Sequence, residues 1–284
     1  MLLNYKSRLK TWSHIRPRHR QVNLANIKAL VLVPTTMLSL FQSYKGTPMS
    51  LTKAPKRHRF PVSIISHVVW LYHRFNHSYR DVQEQLAYRG IIVSHETIRF
   101  WCMKFAKHFS DVIRKRERKP TDKWRLDEMT IRINGVYYIL WRAVDSQGHD
   151  LDVFLQTRRN KKAAIRFLSR LLRQYPEPRV IVTDKLKSYI RPIRYMIPNA
   201  EHRSHKGLNN RAENSHQPTR RKEKCIIKFK SPQGVQRTLS LMGKVRNIFS
   251  VEVGRYLKTA SDRRDSFMAA QTIWHEAAQR ILCA

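Results

Sequence analysis

Acidic residues are scarce in this chain: 20 Asp plus Glu stand against 56 Lys plus Arg, a formal net charge of +36. A protein so unbalanced repels itself unless a polyanion neutralises it. Nucleic acid is the first candidate, ahead of an acidic membrane surface. The cations run along the whole chain, which predicts a broad footprint rather than a basic tail. Cysteine is nearly missing as well. Cys102, Cys225 and Cys283 are isolated and odd in number, which argues against a disulfide framework or a Cys-pair zinc site and fits a reducing cytoplasm. Long apolar runs are absent. ALVLVPTTMLSLF at 29–41 is too short to span a bilayer, is interrupted by Pro34 and starts too deep for a signal peptide. No membrane role is expected. What the chain does have is 284 residues, 42% of them hydrophobic and 10% aromatic. That is enough for one sizeable core plus a small accessory domain.

Residues 1–48 read as a non-native or disordered extension, with translation expected to start at Met49. A basic arm, 49–60, follows. Over 61–113 the period is helical: Ile65, Val68, Val69, Tyr72 and Phe75 form one stripe, and Tyr79, Val82 and Leu86 a second. Gly90 then makes a turn, and Ser94 caps a third helix with Ile98, Trp101, Cys102, Phe105 and Phe109 inside. Three short helices with a turn before a capped last one is the helix-turn-helix plan. There His95, Glu96 and Arg99 would face base edges. His73 and His77 have ligand spacing but no third partner, so they read as ordinary core or surface histidines. Residues 114–122 read as a basic linker that also touches phosphate.

Beyond the linker the period becomes extended. Residues 124–131 lead to Asn134-Gly135, a strong hairpin signal, and 136–144 form a second strand. Residues 151–157 make a third strand, 160–174 an amphipathic helix, and 179–184 a short strand ending in Asp184. Three antiparallel strands, a helix and a further strand is the order of the ribonuclease H-like fold. The predicted architecture is therefore α/β, a mixed sheet with flanking helices over 123–250, preceded by the small all-α domain. Residues 251–284 are a C-terminal helical segment, and 233–249 with 260–280 look helical.

That order sets an acid in the first strand beside one at the end of the fourth. A third acid on a later helix can close the site. Asp127, Asp184 and Glu213 fill these places. Phosphodiester chemistry explains the residue types. Two Mg²⁺ ions roughly 3.5–4 Å apart activate the attacking oxygen and stabilise the leaving one, held by hard oxygen ligands. Other acids have ordinary explanations. Glu128 points to the opposite strand face, so only one of Asp127 and Glu128 is expected in the site. Asp145 and Asp150 flank a turn, Asp152 lies on a packed strand, and Glu201 falls in an unpatterned stretch beside His202 and His205.

Four strings carry a resemblance: FNHSYRDVQEQLAYRGI at 75–91, WRLDEMTIRINGVYYILWRAVD at 124–145, TDKLKSY at 183–189 and NNRAENSHQPTRRKEK at 209–224. From about Met49 onward the chain resembles bacterial insertion-sequence transposases of the IS6 family, which includes IS26-type elements. The resemblance implies an Asp127–Asp184–Glu213 triad binding two Mg²⁺, with Mn²⁺ as a substitute. It also implies a DNA-holding Arg220 two helical turns after Glu213. Pro218 falls between them, predicting a kink or a late helix start, and the Asp184–Glu213 gap is a little short for the family. Lys185 and Lys187, with His95 and Arg99, are further candidate DNA contacts. Such an enzyme would bind terminal inverted repeats as double-stranded DNA, cleave each end and join the freed 3′-OH to target DNA. It would work as a homodimer or larger synaptic assembly, at the nucleoid of a bacterial cytoplasm. Two alternatives remain: a helix-turn-helix regulator with an inactive catalytic half, and a ribonuclease H-like nuclease without joining activity.

Overall fold

The computed structural model describes residues 52–184, 187–204, 210–250 and 259–283, with side chains at 187, 210–215 and 283 outside that description. The expected extension 1–48 lies outside it too. Helix α1 (Val62–Arg74) starts after Pro61, where a missing N–H costs nothing, and buries Val62, Ile65, Val68, Val69 and Tyr72. A capping box opens α2 (Tyr79–Tyr88): Asp81 N–H donates to the Ser78 hydroxyl, and Ser78 N–H donates to the Asp81 carboxylate. Gly90 (φ 75°) closes it. Gly90 N–H donates to the Ala87 carbonyl and Ile91 N–H to that of Leu86, the paired bonds of a Schellman stop. Ser94 caps α3 (His95–Arg116) by accepting from Thr97 N–H.

Strands β1 (Lys123–Ile133) and β2 (Val136–Asp145) join through Asn134 and Gly135, at φ 48° and 84°. Both are left-handed, as the mirror-image two-residue turn requires. Next come β3 (Asp150–Gln156), α4 (Lys161–Leu172, capped by Asn160), β4 (Val180–Thr183), α5 (Lys187–Met196) and β5 (Glu201–Ser204). Helices α6 (Asn210–Cys225), α7 (Pro232–Phe249) and α8 (Ala260–Gln279) complete the described order. Pro218 lies inside α6, which continues through it. The sheet order is β3-β2-β1-β4-β5, with β1 to β3 antiparallel and β4 and β5 parallel to β1. This is the mixed sheet of the ribonuclease H-like fold.

Strand alternation separates two cores. Trp124, Leu126, Trp141 and Ala143 face α4 and α5, while Met129, Ile131, Ile133 and Val153 face α7. Helix α7 is apolar on both sides. Val235, Leu239 and Met242 pack on the sheet, whereas Leu241, Val245 and Phe249 enter the core built by α1, α2, α3 and α8. Where α7 passes β3, ionic groups are buried but paired. The Lys244 ammonium bonds the Glu117 carboxylate, which also accepts from Asn247 and Tyr175. The Arg142 guanidinium bonds Asp150. The basic stretch 114–122 thus leaves α3 through a buried anchor at Glu117. A second clasp joins α6 to the first helices. Lys222, with no exposed surface, donates to the carbonyls of Tyr72, Phe75 and His77 and lies 3.5 Å above the Tyr72 ring.

Candidate active site

Register brings the two strand acids together. On the parallel pair Lys123 faces Val180, Trp124 faces Ile181 and Arg125 faces Val182. Two residues further along each chain stand Asp127 and Asp184, and β4 has just stopped at Thr183. One ligand oxygen each from Asp127, Glu128 and Asp184 lies within 4.8 Å of the others, a grouping unique among the described residues for metal-binding side chains. The Asp184 carbonyl is pinned by the Thr183 hydroxyl at 2.8 Å and the Ser204 hydroxyl at 3.2 Å. With the Thr183 proton so committed, His202 Nε2, 2.9 Å away, must donate to that hydroxyl. Asp127 accepts the Glu128 N–H at 2.8 Å and pairs with His216 Nε2 at 2.9 Å.

Glu128 corrects an expectation. It does project to the opposite sheet face from Asp127, toward α5, as alternation demands. Yet β1 loses its β4 neighbour beyond Arg125, so side chains from both faces can bend round the open edge toward Asp184. Its side chain is 2% exposed, with Oε2 2.9 Å from Arg159. Oε1 is buried with no well-aligned hydrogen-bond donor, although the buried Tyr189 hydroxyl lies close enough to the carboxylate to favour its charged form. Burial, helped by the Asp184 charge and opposed by Tyr189 and Arg159, pushes the Glu128 carboxyl up to about 7. A buried carboxylate oxygen without a donor is stabilised by a cation. The hard-oxygen set here suits a divalent one.

The remaining sequence candidates fall in different places. Glu213 lies on α6, one turn ahead of His216 and so on the same helix face; its side chain is outside the described residues. Farther along α6, Arg220 donates to the Thr130 carbonyl at 3.0 Å and pairs with Glu223, which fixes α6 across β1. Lys185 lies outside the described residues, and Lys187 opens α5 with its side chain likewise outside. His95 and Arg99 sit at the start of α3, on a different element from the strand acids, and Glu96 pairs with both. Asp145 accepts from Gln147 N–H and His149 N–H, the turn chemistry expected of it. Asp150 and Asp152 are held by Arg142 and Arg170. Glu201, in a stretch that looked unpatterned, opens β5 and pairs with Arg203. His73 is buried against the Val69 carbonyl, and His77 stands beyond the end of α1 beside Gln85. Sequence reasoning set Glu128 aside and did not single out His216 or Arg159. Only His216 carried a signal, its one-turn spacing from Glu213.

Residues 121–252 match a family model described as a DDE domain, a span that holds Asp127, Asp184 and Glu213. Over 130 residues the chain is 36% identical to a transposase for the insertion sequence-like element IS431mec of Staphylococcus aureus, covering 46% of this chain and 58% of that protein. A transposase for insertion sequence element IS257 in transposon Tn4003, also from Staphylococcus aureus, matches with the same identity and coverage. The chain thus spans 58% of the length of these relatives. Among solved structures, the HTLV-2 integrase catalytic core domain in complex with magnesium is similar at 16% identity and a TM-score of 0.30, covering 38% of this chain and 85% of that one. The simian T-cell lymphotropic virus intasome in complex with PP2A regulatory subunit B56 gamma is similar at 15% identity and a TM-score of 0.36, covering 53% and 57%.

Proposed function

We propose, starting from the match of residues 121–252 to a DDE domain model, that this protein is a DNA transposase. It cleaves at the ends of its element and joins them to target DNA. The observation that carries the reading is the convergence of Asp127 and Asp184 where β4 ends, with α6 bringing position 213 across the same strand. Mg²⁺, as a pair of ions or with Mn²⁺ in its place, would activate the attacking oxygen and offset charge on the leaving one. Asp127 and Asp184 would hold it, and Glu213 would complete the set. His216 orients Asp127 through its 2.9 Å contact. The Thr183, Ser204 and His202 bonds fix the turn that presents Asp184.

Cleavage and joining then differ only in nucleophile, water first and the freed 3′-OH second. The exposed first turn of α3, with His95 and Arg99, is the part of the helical unit available to read the terminal inverted repeats. Lys185, Lys187 and Arg220 would hold backbone phosphate near the acids. Holding two ends requires a dimer or larger assembly, acting beside DNA in a bacterial cytoplasm. The deciding experiment uses Asp184→Ala on a DNA fragment bearing the element's ends. Cleavage and joining should fall at least about a hundredfold while end binding persists. Wild-type rates in that variant would reject the site, and cleavage without joining in the unaltered protein would favour a nuclease.

A further inference from the structure

Arg159 is the unusual member of the carboxylate group. Its Nη2 lies 2.9 Å from Glu128 Oε2 and 3.3 Å from Asp184 Oδ2, so one guanidinium spans two of the three clustered acids. It stands on the short connection between β3 and α4, just before the Asn160 cap. Its side chain is 46% exposed, while the Glu128 side chain beneath it is 2% exposed. Exposed ion pairs generally contribute little. This one differs because its acid partner is removed from water, where an uncompensated charge is costly.

The electrostatics demand a cation here. Carboxylates within 4.8 Å of one another repel, and the guanidinium offers one positive charge to offset them. It satisfies only one oxygen of Glu128. The other, Oε1, is buried without a well-aligned donor, the neutral Tyr189 hydroxyl standing near the carboxylate. A guanidinium and a divalent ion would compete for the same oxygens, and the ion brings twice the charge and no directional N–H requirement. The short, solvent-facing β3–α4 connection lets the arginine withdraw without disturbing either core.

We propose that Arg159 is the resident counter-cation of this site. It holds Glu128 and Asp184 until a divalent cation enters, and its departure frees Glu128 to join Asp127 and Asp184 as a ligand. The inference rests on the assignment of Asp127 and Asp184 as metal-holding acids. It adds a fourth carboxylate to the triad and gives the metal-free state its own charge balance.

Metal binding to the full chain, without DNA, tests it. Mg²⁺, and Ca²⁺ in parallel, would be titrated by calorimetry and by the rise in thermal midpoint. Arg159→Gln should bind Mg²⁺ about three- to tenfold more tightly, since a competitor is gone, and should start from a lower metal-free midpoint. Arg159→Lys should return the affinity toward that of the unaltered protein. Glu128→Gln should weaken binding by about tenfold, and removing Arg159 in that background should recover little. Equal or weaker Mg²⁺ binding by Arg159→Gln, or unchanged binding by Glu128→Gln, would overturn the proposal. Asp184→Ala separates the two levels. If it leaves the titration untouched, the site assignment itself fails. If it abolishes binding while Arg159→Gln gains nothing, only the counter-cation role fails.

Discussion

Individual side chains separate what alternation can foretell from what it cannot. The convergence of Asp127 and Asp184 was legible because one lies within β1, the other directly follows β4, and parallel register brings them level. Glu128 was misjudged by the alternation rule. The rule treats β1 as flanked along its whole length, whereas β4 ends early and opens an edge. Arg159 lies on a connection with no periodicity to read. His73 offers a test of a different kind. Its Nδ1 donates to the Val69 carbonyl at 2.7 Å and its Nε2 is buried without a partner, so burial lowers its pKa to about 3. The folded value lies below the unfolded one near 6.5, so the unfolded chain takes up the proton first as pH falls. Stability from keeping His73 neutral is complete above about pH 6.5 and declines toward pH 3 at roughly 1.4 kcal/mol per pH unit. Urea unfolding at pH 7 and pH 5 should show a smaller drop for His73→Leu than for the unaltered protein. An identical drop would mean that other groups carry the acid sensitivity.

At the scale of elements, the long amphipathic segments were readable and the short polar ones were not. Helices α1, α3 and α4 show apolar spacing that survives folding, and the Asn134-Gly135 hairpin announced itself. Strand β5 is the four-residue EHRS, exposed and charged, so it carries no alternation. Helix α5 contains Pro192, which disguised it. Helix α7 has the tightest tolerance. A Cβ at Gly243 would lie 3.0 Å from Asp150 Cβ and 3.3 Å from its carboxylate, against an ion pair already packed between Arg142 and Arg246. Gly243→Ala should therefore destabilise the fold by about 1–3 kcal/mol despite the gain in helix propensity. A urea midpoint at or above that of the unaltered protein would contradict this packing. In the first turn of α3, Arg99 and Glu96 neutralise each other. Glu96→Gln should strengthen binding to DNA in general by releasing that arginine, a gain of up to about 1 kcal/mol in a binding titration.

For the whole molecule, charge and connectivity matter most. A formal charge of +36 predicts DNA affinity that collapses with salt. If six to ten phosphates are contacted, binding should weaken by about 10³–10⁵ between 50 and 200 mM salt, measurable by anisotropy on duplex DNA. A flat salt dependence would mean that the cations serve something else. The helical unit and the sheet looked separable in sequence because periodicity changes abruptly near residue 123. Helix α7, inserted between them, was recognised as helical, but no sequence pattern says which of two partners each of its faces will meet.

That wedge bears on what a truncated chain could do. A frameshift anywhere ahead of residue 232 would strip the first helices of Leu241, Val245 and Phe249, together with Trp274 farther on, leaving their greasy underside bare. Such a fragment should be cleared by proteolysis rather than persist as a separate helical unit.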